Sequence, residues 1–163
     1  MPKAIGPNFT NEIVAAGLSG LPFAWSAGGT IEFGPDMSGS QIAAVQAVYA
    51  AHDPARPDPV AAAAALIRAG LTVTSTSTPA LNGTYGLLPQ DEINITGLQH
   101  AVVADVFPGF YRDRNGGRHT MTGEQFTALA TALLGFLVAI DEAKAAALAG
   151  GAWVAPPATA TID

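Results

Sequence analysis

The 163-residue chain contains no cysteine. That excludes disulfides, thiolate metal ligands and a cysteine nucleophile. Charge is also scarce: 12% of residues are charged, against about 25% in an average globular domain. Seven Lys and Arg stand against thirteen Asp and Glu, a net charge of −6. Nucleic-acid binding calls for a basic stripe, and seven scattered cations do not form one. Attraction to an anionic membrane surface fails on the same ground. No GxSxG elbow is present, so a serine triad has no starting point. The glycine pairs Gly28-Gly29 and Gly116-Gly117 match neither GxGxxG nor GxxxxGK[ST], and each leads into a strand pattern rather than a helix. His52, His100 and His119 are far apart, with no HxH or HExxH spacing. The carboxylate pairs Asp91-Glu92 and Asp141-Glu142 are adjacent on helix patterns, and adjacent helical positions do not face a common point. The expectation is a protein that is not an enzyme and has no cofactor and no metal.

The opening MPKAIGPNFTNEI has no continuous apolar stretch, so a signal peptide is not expected. The longest apolar run, Phe126 to Ile140, falls short of the roughly 20 residues a bilayer span needs, and Asp141 and Glu142 follow it. It reads as a buried helix, without membrane insertion.

Hydrophobic residues make up 49% of the chain, many of them alanine. Much of that content is helix propensity rather than core volume. Few charges over much apolar surface point either to contact with another protein or to a proteome biased to Ala, Gly and Pro.

The pattern along the chain predicts an α+β fold: short β-hairpins packed with several helices, ending in a long amphipathic helix. Phe9, Ile13, Val14 and Leu18 make a short helix face, capped by Asn8 or Thr10 and ended by Gly17 and Gly20. Leu21 to Phe33 alternates around Ala27-Gly28-Gly29 as a hairpin. Ser38 or Ser40 caps a helix over 41–51, with Ile42, Val45, Val48 and Tyr49 on one face. ARPDP is a stiff linker, and Asp58 and Pro59 open a helix that Gly70 stops. Leu71 to Thr76 reads as a strand, followed by a Ser/Thr linker. Pro89 opens a helix to about Val106, with Ile93, Ile95, Leu98, Val102, Val103 and Val106 as its buried stripe. Phe107 to Thr120 is a second hairpin, turned at Arg114-Asn115-Gly116-Gly117. Thr122 and Gln125 form a capping box for the last helix, whose face runs through Phe126, Leu129, Leu133, Leu137 and Ile140 to Leu148. The tail AWVAPPATATID has too few apolar side chains to fold alone. The chain divides into a hairpin–helix module, 1–75, and a helix–hairpin–helix module, 76–163, or stands as one domain.

Three of the seven Lys and Arg residues, Arg112, Arg114 and Arg118, fall on the second hairpin together with His119. It reads either as a solvated ribbon with cross-strand pairs or as a contact patch for an acidic partner. The final helix has a wide apolar arc, with Phe136 partly off the main stripe, and Trp153 follows it. These six residues are the candidate partner-contact positions, and the arc predicts a homo-oligomer or a larger assembly.

Two stretches carry a resemblance. The stretch Gly17 to Pro59, which contains GLPFAWSAGGTIEFGPDMSGSQIAAVQAVYAAHDPARPDP, is similar to the opening of small tail proteins of temperate phages and prophages. FYRDRNGGRHTMTGEQFTALATALLGFLVAIDEAKAAAL, Phe110 to Leu148, resembles a domain of unknown function at the C-terminus of phage tail-fibre-associated proteins. The resemblance implies a structural component of a phage tail, in the baseplate or fibre region, made in the host cytoplasm and resident in the virion. Its partners would be other tail proteins. It transfers no catalytic residues. A tail-fibre assembly chaperone is the alternative within that setting, and a small hydrolase or carbohydrate-binding module the alternative outside it.

Overall fold

The computed structural model describes residues 2–163 and is 46% helix and 14% strand. It is an α+β fold with a long C-terminal helix. The chain forms two compact units: one from the residues up to Ala62 with Lys144–Val154, the other from Ala63–Ala143 with Ala155–Asp163. The division expected near 75–76 thus lies inside the second unit. Two of the three exchanges between units, at 62–63 and 143–144, fall within helices, where no composition shift marks them; the third lies in the tail at 154–155.

The first unit holds helix α1 (Phe9–Ala15), the hairpin β1 (Phe23–Trp25) and β2 (Ile31–Phe33), and helix α2 (Gly39–Ala51). Ile5, Phe9, Ile13, Met37 and Val45 are its buried centre, with Phe23, Ile31, Phe33, Ile42, Val48 and Tyr49 packed around them. The hairpin pairs Phe23 with Phe33 and Trp25 with Ile31. Ser38 caps α2 through a reciprocal capping box: its hydroxyl accepts from Gln41 N–H (3.3 Å), and Gln41 Oε1 accepts from Ser38 N–H (2.9 Å). Val14, expected on the buried face of α1, is exposed. It follows Ile13 by one position, about 100° around the helix.

Helix α3 (Pro59–Ala69) starts as expected, with Asp58 Oδ1 accepting from Val60 N–H at 2.8 Å. Gly70 then turns the chain at φ +80°, and a Cβ there would collide with the Tyr85 carbonyl. The close approach and the positive φ both require glycine.

The second unit is built on strand β3 (Leu71–Thr74), which pairs antiparallel with β4 (Gly83–Tyr85) and parallel with β7 (Thr159–Thr161). A single 3-10 turn, Pro79–Leu81, lies between β3 and β4. Helix α4 (Pro89–Val103), the hairpin β5 (Phe110–Arg112) and β6 (Arg118–Thr120), and helix α5 (Gly123–Leu148) complete the element order. Leu71, Val73, Leu81, Tyr85, Ile95, Phe126, Leu129, Leu133 and Ile140 are each 2% exposed or less.

The tail is the main departure from expectation. Thr159–Thr161 is a strand, and Ile162 is buried. Asp163 makes the Ser/Thr segment after β3 into a structured turn. Its Oδ1 accepts from Thr76 N–H (2.9 Å) and Ser77 N–H (3.1 Å), and its Oδ2 from the Thr76 hydroxyl (2.9 Å). Those bonds, led by the Ser77 and Thr76 groups, lower its carboxyl to about 2.

Helix α4 is the second departure. It stops at Val103, and Asp105 takes φ +58°. Of the expected stripe, Ile95 is fully buried, but Ile93, Val103 and Val106 are 65%, 87% and 69% exposed. Ile93 and Ile95 are two positions apart, about 200° around a helix, so one face cannot hold both.

Helix α5 keeps its capping box, Thr122 N–H to Gln125 Oε1 (2.9 Å) and Gln125 N–H to Thr122 Oγ1 (3.2 Å). It is 26 residues long and, by length and composition alone, could cross a bilayer. Its buried positions follow one face, Phe126, Leu129, Leu133, Phe136 and Ile140, while Val138 and Leu148 are exposed. A one-sided stripe of this kind suits a core helix.

Two outcomes check this account. Ile95→Ala should cost about 2–5 kcal/mol of stability by denaturant titration, while Ile93→Ala should stay within about 0.5 kcal/mol. Asp163→Asn should lower the thermal midpoint near neutral pH. Its folded carboxyl lies at about 2, below the ordinary 3.8, so the wild-type advantage is complete above that ordinary value and fades as pH falls through about 2.

Candidate partner-contact site

The second hairpin is locked by its own sequence. Asp113 closes the turn: its Oδ1 accepts from Asn115 N–H (2.9 Å) and Gly117 N–H (2.7 Å). Gly116 takes φ +85°, as the Asn-Gly pattern requires. Arg112 donates to the Gly116 carbonyl at 2.8 Å.

Two of the expected contact residues instead fasten this hairpin to its neighbours. Arg114 donates through its backbone N–H to Thr84 O (2.8 Å) and through Nη1 to Ala69 O (2.7 Å). His119 Nδ1 lies 2.7 Å from Ala80 O, and its Nε2 lies 3.1 Å from Asp113 Oδ2. Both partners are acceptors, so both bonds form together only when the ring carries both protons. The His119 ring sits against Tyr85, and Tyr85 stacks on Tyr111. The bond from His119, then those from Gly117 and Asn115, hold the Asp113 carboxyl below the usual carboxylate range.

Of the other two arginines, Arg112 lines an open groove of about 430 Å³ between α4 and β5. Ile93, Gly97 and Leu98 form one wall, and Pro108, Phe110 and Tyr111 the other, with Arg112 at its edge. Ile93 and Gly97 are four apart and share a helix face. A Cβ on Gly97 would meet nothing within 4 Å, so the missing side chain gives the groove depth. The Arg118 guanidinium lies 4.0 Å from the centre of the Phe110 ring, a cation–π contact with a ring that lines the groove. The site is therefore a largely apolar slot with Asn94 and Arg112 in its lining and a second cation, Arg118, on one of its rings.

Phe136 is 6% exposed, so it offers no surface to a partner; it belongs to the buried face of α5. Trp153 is half-buried and belongs to the first unit, while the hairpin belongs to the second. The structure brings Arg112 and Arg118 together with groove residues that the sequence reading assigned elsewhere or passed over: Ile93, Gly97, Pro108 and Phe110. The 200° step between Ile93 and Ile95 was the available signal for Ile93.

Glu12 Oε2 lies 2.7 Å from His52 Nδ1, the pairing of an orienting carboxylate with a general base. The second nitrogen, however, accepts from Gly6 N–H at 2.8 Å and is buried. Its lone pair is committed to the backbone. Burial, with Asp113 nearby, pushes the Tyr85 phenol up to about 12, and burial with Asp91 does the same to Tyr111. Neither phenol supplies a base near neutral pH. Among the described residues, no group of three His, Asp or Glu side chains comes together to hold a metal ion. Comparison with protein-family models, curated proteins and solved structures returned no match.

The lock between hairpin strands is measurable. A double-mutant cycle on Asp113→Ala and His119→Ala should give a coupling of about 0.5–1 kcal/mol, kept small by solvent screening. Because the folded Asp113 carboxyl is held low, the coupling is present above the ordinary carboxylate range and should vanish as pH falls through the folded value.

Proposed function

We propose that this protein works by protein–protein contact, as a non-enzymatic structural component of a tailed-phage tail, in the baseplate or fibre region. The observation that carries the contact reading is the α4–β5 groove, where exposed Ile93 and the Phe110 ring lie beside Arg112 and Arg118. An apolar side chain flanked by a carboxylate fits that chemistry: the slot takes the side chain and the guanidiniums take the charge. The phage setting is supported by the two resembling stretches, Gly17 to Pro59 and Phe110 to Leu148. In that setting the partners are other tail proteins or further copies of this chain. It is made in the host cytoplasm and stays in the particle.

Mass spectrometry of purified particles tests the placement. The chain should be present in mature virions, and its absence there would replace the structural reading with that of an assembly chaperone. The groove is tested in the same particles. Ile93→Asp should fold with an unchanged circular dichroism spectrum and show at least about tenfold lower incorporation, the loss that follows from charging an apolar hot spot.

A further inference from the structure

The geometry points to a second contact surface, on the opposite side of β3 from β4, that takes an extended strand from another polypeptide. β7 is an edge strand, in the order β4-β3-β7. Its parallel register pairs Thr72 with Thr159 and Thr74 with Thr161. Ala158 O accepts from Thr72 N–H (3.0 Å), and Ile162 N–H donates to Thr74 O (2.9 Å). Backbone groups alternate along a strand, so 158, 160 and 162 point toward β3. The N–H and C=O groups of Thr159 and Thr161 therefore point to the open edge. Such an edge is a template for one more strand.

A groove of about 640 Å³ runs beside this edge, between Thr161 and Ile162 on one side and Thr127, Ala128, Thr131 and Ala132 of α5 on the other. The threonine hydroxyls are turned inward: Thr127 donates to Gly123 O and Thr131 to Thr127 O, each at 2.8 Å. The helix wall consequently presents methyl groups, in spite of its polar residue names. Glu124 and Asp163 also line the groove, and both line the smaller cavity next to it. Asp163 follows β7, so these carboxylates mark the end where β7 runs out.

Open backbone groups, a methyl wall and an acidic end together define the occupant. It is a segment of a partner protein with small or β-branched side chains and a Lys or Arg at its N-terminal end. It pairs antiparallel to β7, which sets that cation beside Glu124 and Asp163 and uses the stronger ladder geometry. This surface is separate from the hairpin groove and stands whether or not the tail placement does.

The test is a nuclear magnetic resonance titration of the full chain with the peptide acetyl-Lys-Thr-Val-Thr-Val-Thr-amide. Binding should shift the amides of Thr159 and Thr161. Methylating the alternate peptide amides that face β7 should weaken binding by about tenfold or more, since each removes a backbone donor. Thr131→Lys, at an exposed position, should fill the groove and weaken binding similarly, whereas Ile93→Asp should leave it unchanged. No shift at about 1 mM peptide, a range that would detect even weak binding, overturns the proposal. So does binding that ignores the methylated amides. Concentration-dependent shifts of Thr159 and Thr161 in the protein alone would assign the edge to a second copy instead and overturn the choice of occupant.

Discussion

β3 is four residues long and is paired on both edges. Leu71 and Val73 face inward at 1% and 0% exposure, and Thr72 and Thr74 face out. On the outer face the threonine hydroxyls form a short ladder, Thr72 to Thr84 at 3.1 Å and Thr74 to Thr161 at 3.3 Å. The rest of the second unit hangs on this pairing. β4 carries Tyr85, whose ring receives His119 and Tyr111, so the hairpin is seated where β4 places that ring. Arg114 then bonds to the backbone of Thr84, which extends the same edge. The groove with Arg112 and Arg118 is held in place through this chain of contacts and does not depend on the hairpin alone.

The first unit is organised differently, around a ring rather than a strand. Phe9 meets Trp25, Tyr49 and His52 edge-on, with centroids 5.3, 6.4 and 5.1 Å away. Edge-to-face contact lets one ring serve several neighbours. His52 is buried here and has a hydrogen bond at both nitrogens, so its polarity is matched on both sides. What looks in isolation like half of a catalytic pair is a device for anchoring the segment before α1.

Local chemistry was legible in the sequence and distant chemistry was not. The two hairpins, the Ser38 and Thr122 capping boxes and the Asp58–Pro59 helix start depend on residues within a few positions of one another, and the structure has them all. β7 carries no such signal. Thr159-Ala160-Thr161 has little apolar content, and it becomes a strand because β3 lies beside it with an open edge. Asp163 closing the turn at 75–77 is likewise a contact across more than 85 residues. At the candidate site, the hairpin charges were visible but their uses were not. Which arginine is tied down and which stands beside the groove depends on where Ala69, Thr84 and Phe110 lie in space.

The first unit also has an order of completion. Arg56 donates to the carbonyls of Ala147 and Gly151, at the end of α5, where a cation offsets the exposed carbonyls of the helix terminus. Those acceptors come after the whole of 63–143 in the chain. On the ribosome, the segment carrying α1, the first hairpin and α2 therefore emerges before the carbonyls that Arg56 engages. It must wait while the intervening unit is made. The intervening unit waits in turn, since β3 gains its second neighbour only when 159–161 appear. Neither unit can finish folding before the other is largely synthesised, and a truncation that removes 144–163 would leave both incomplete at once.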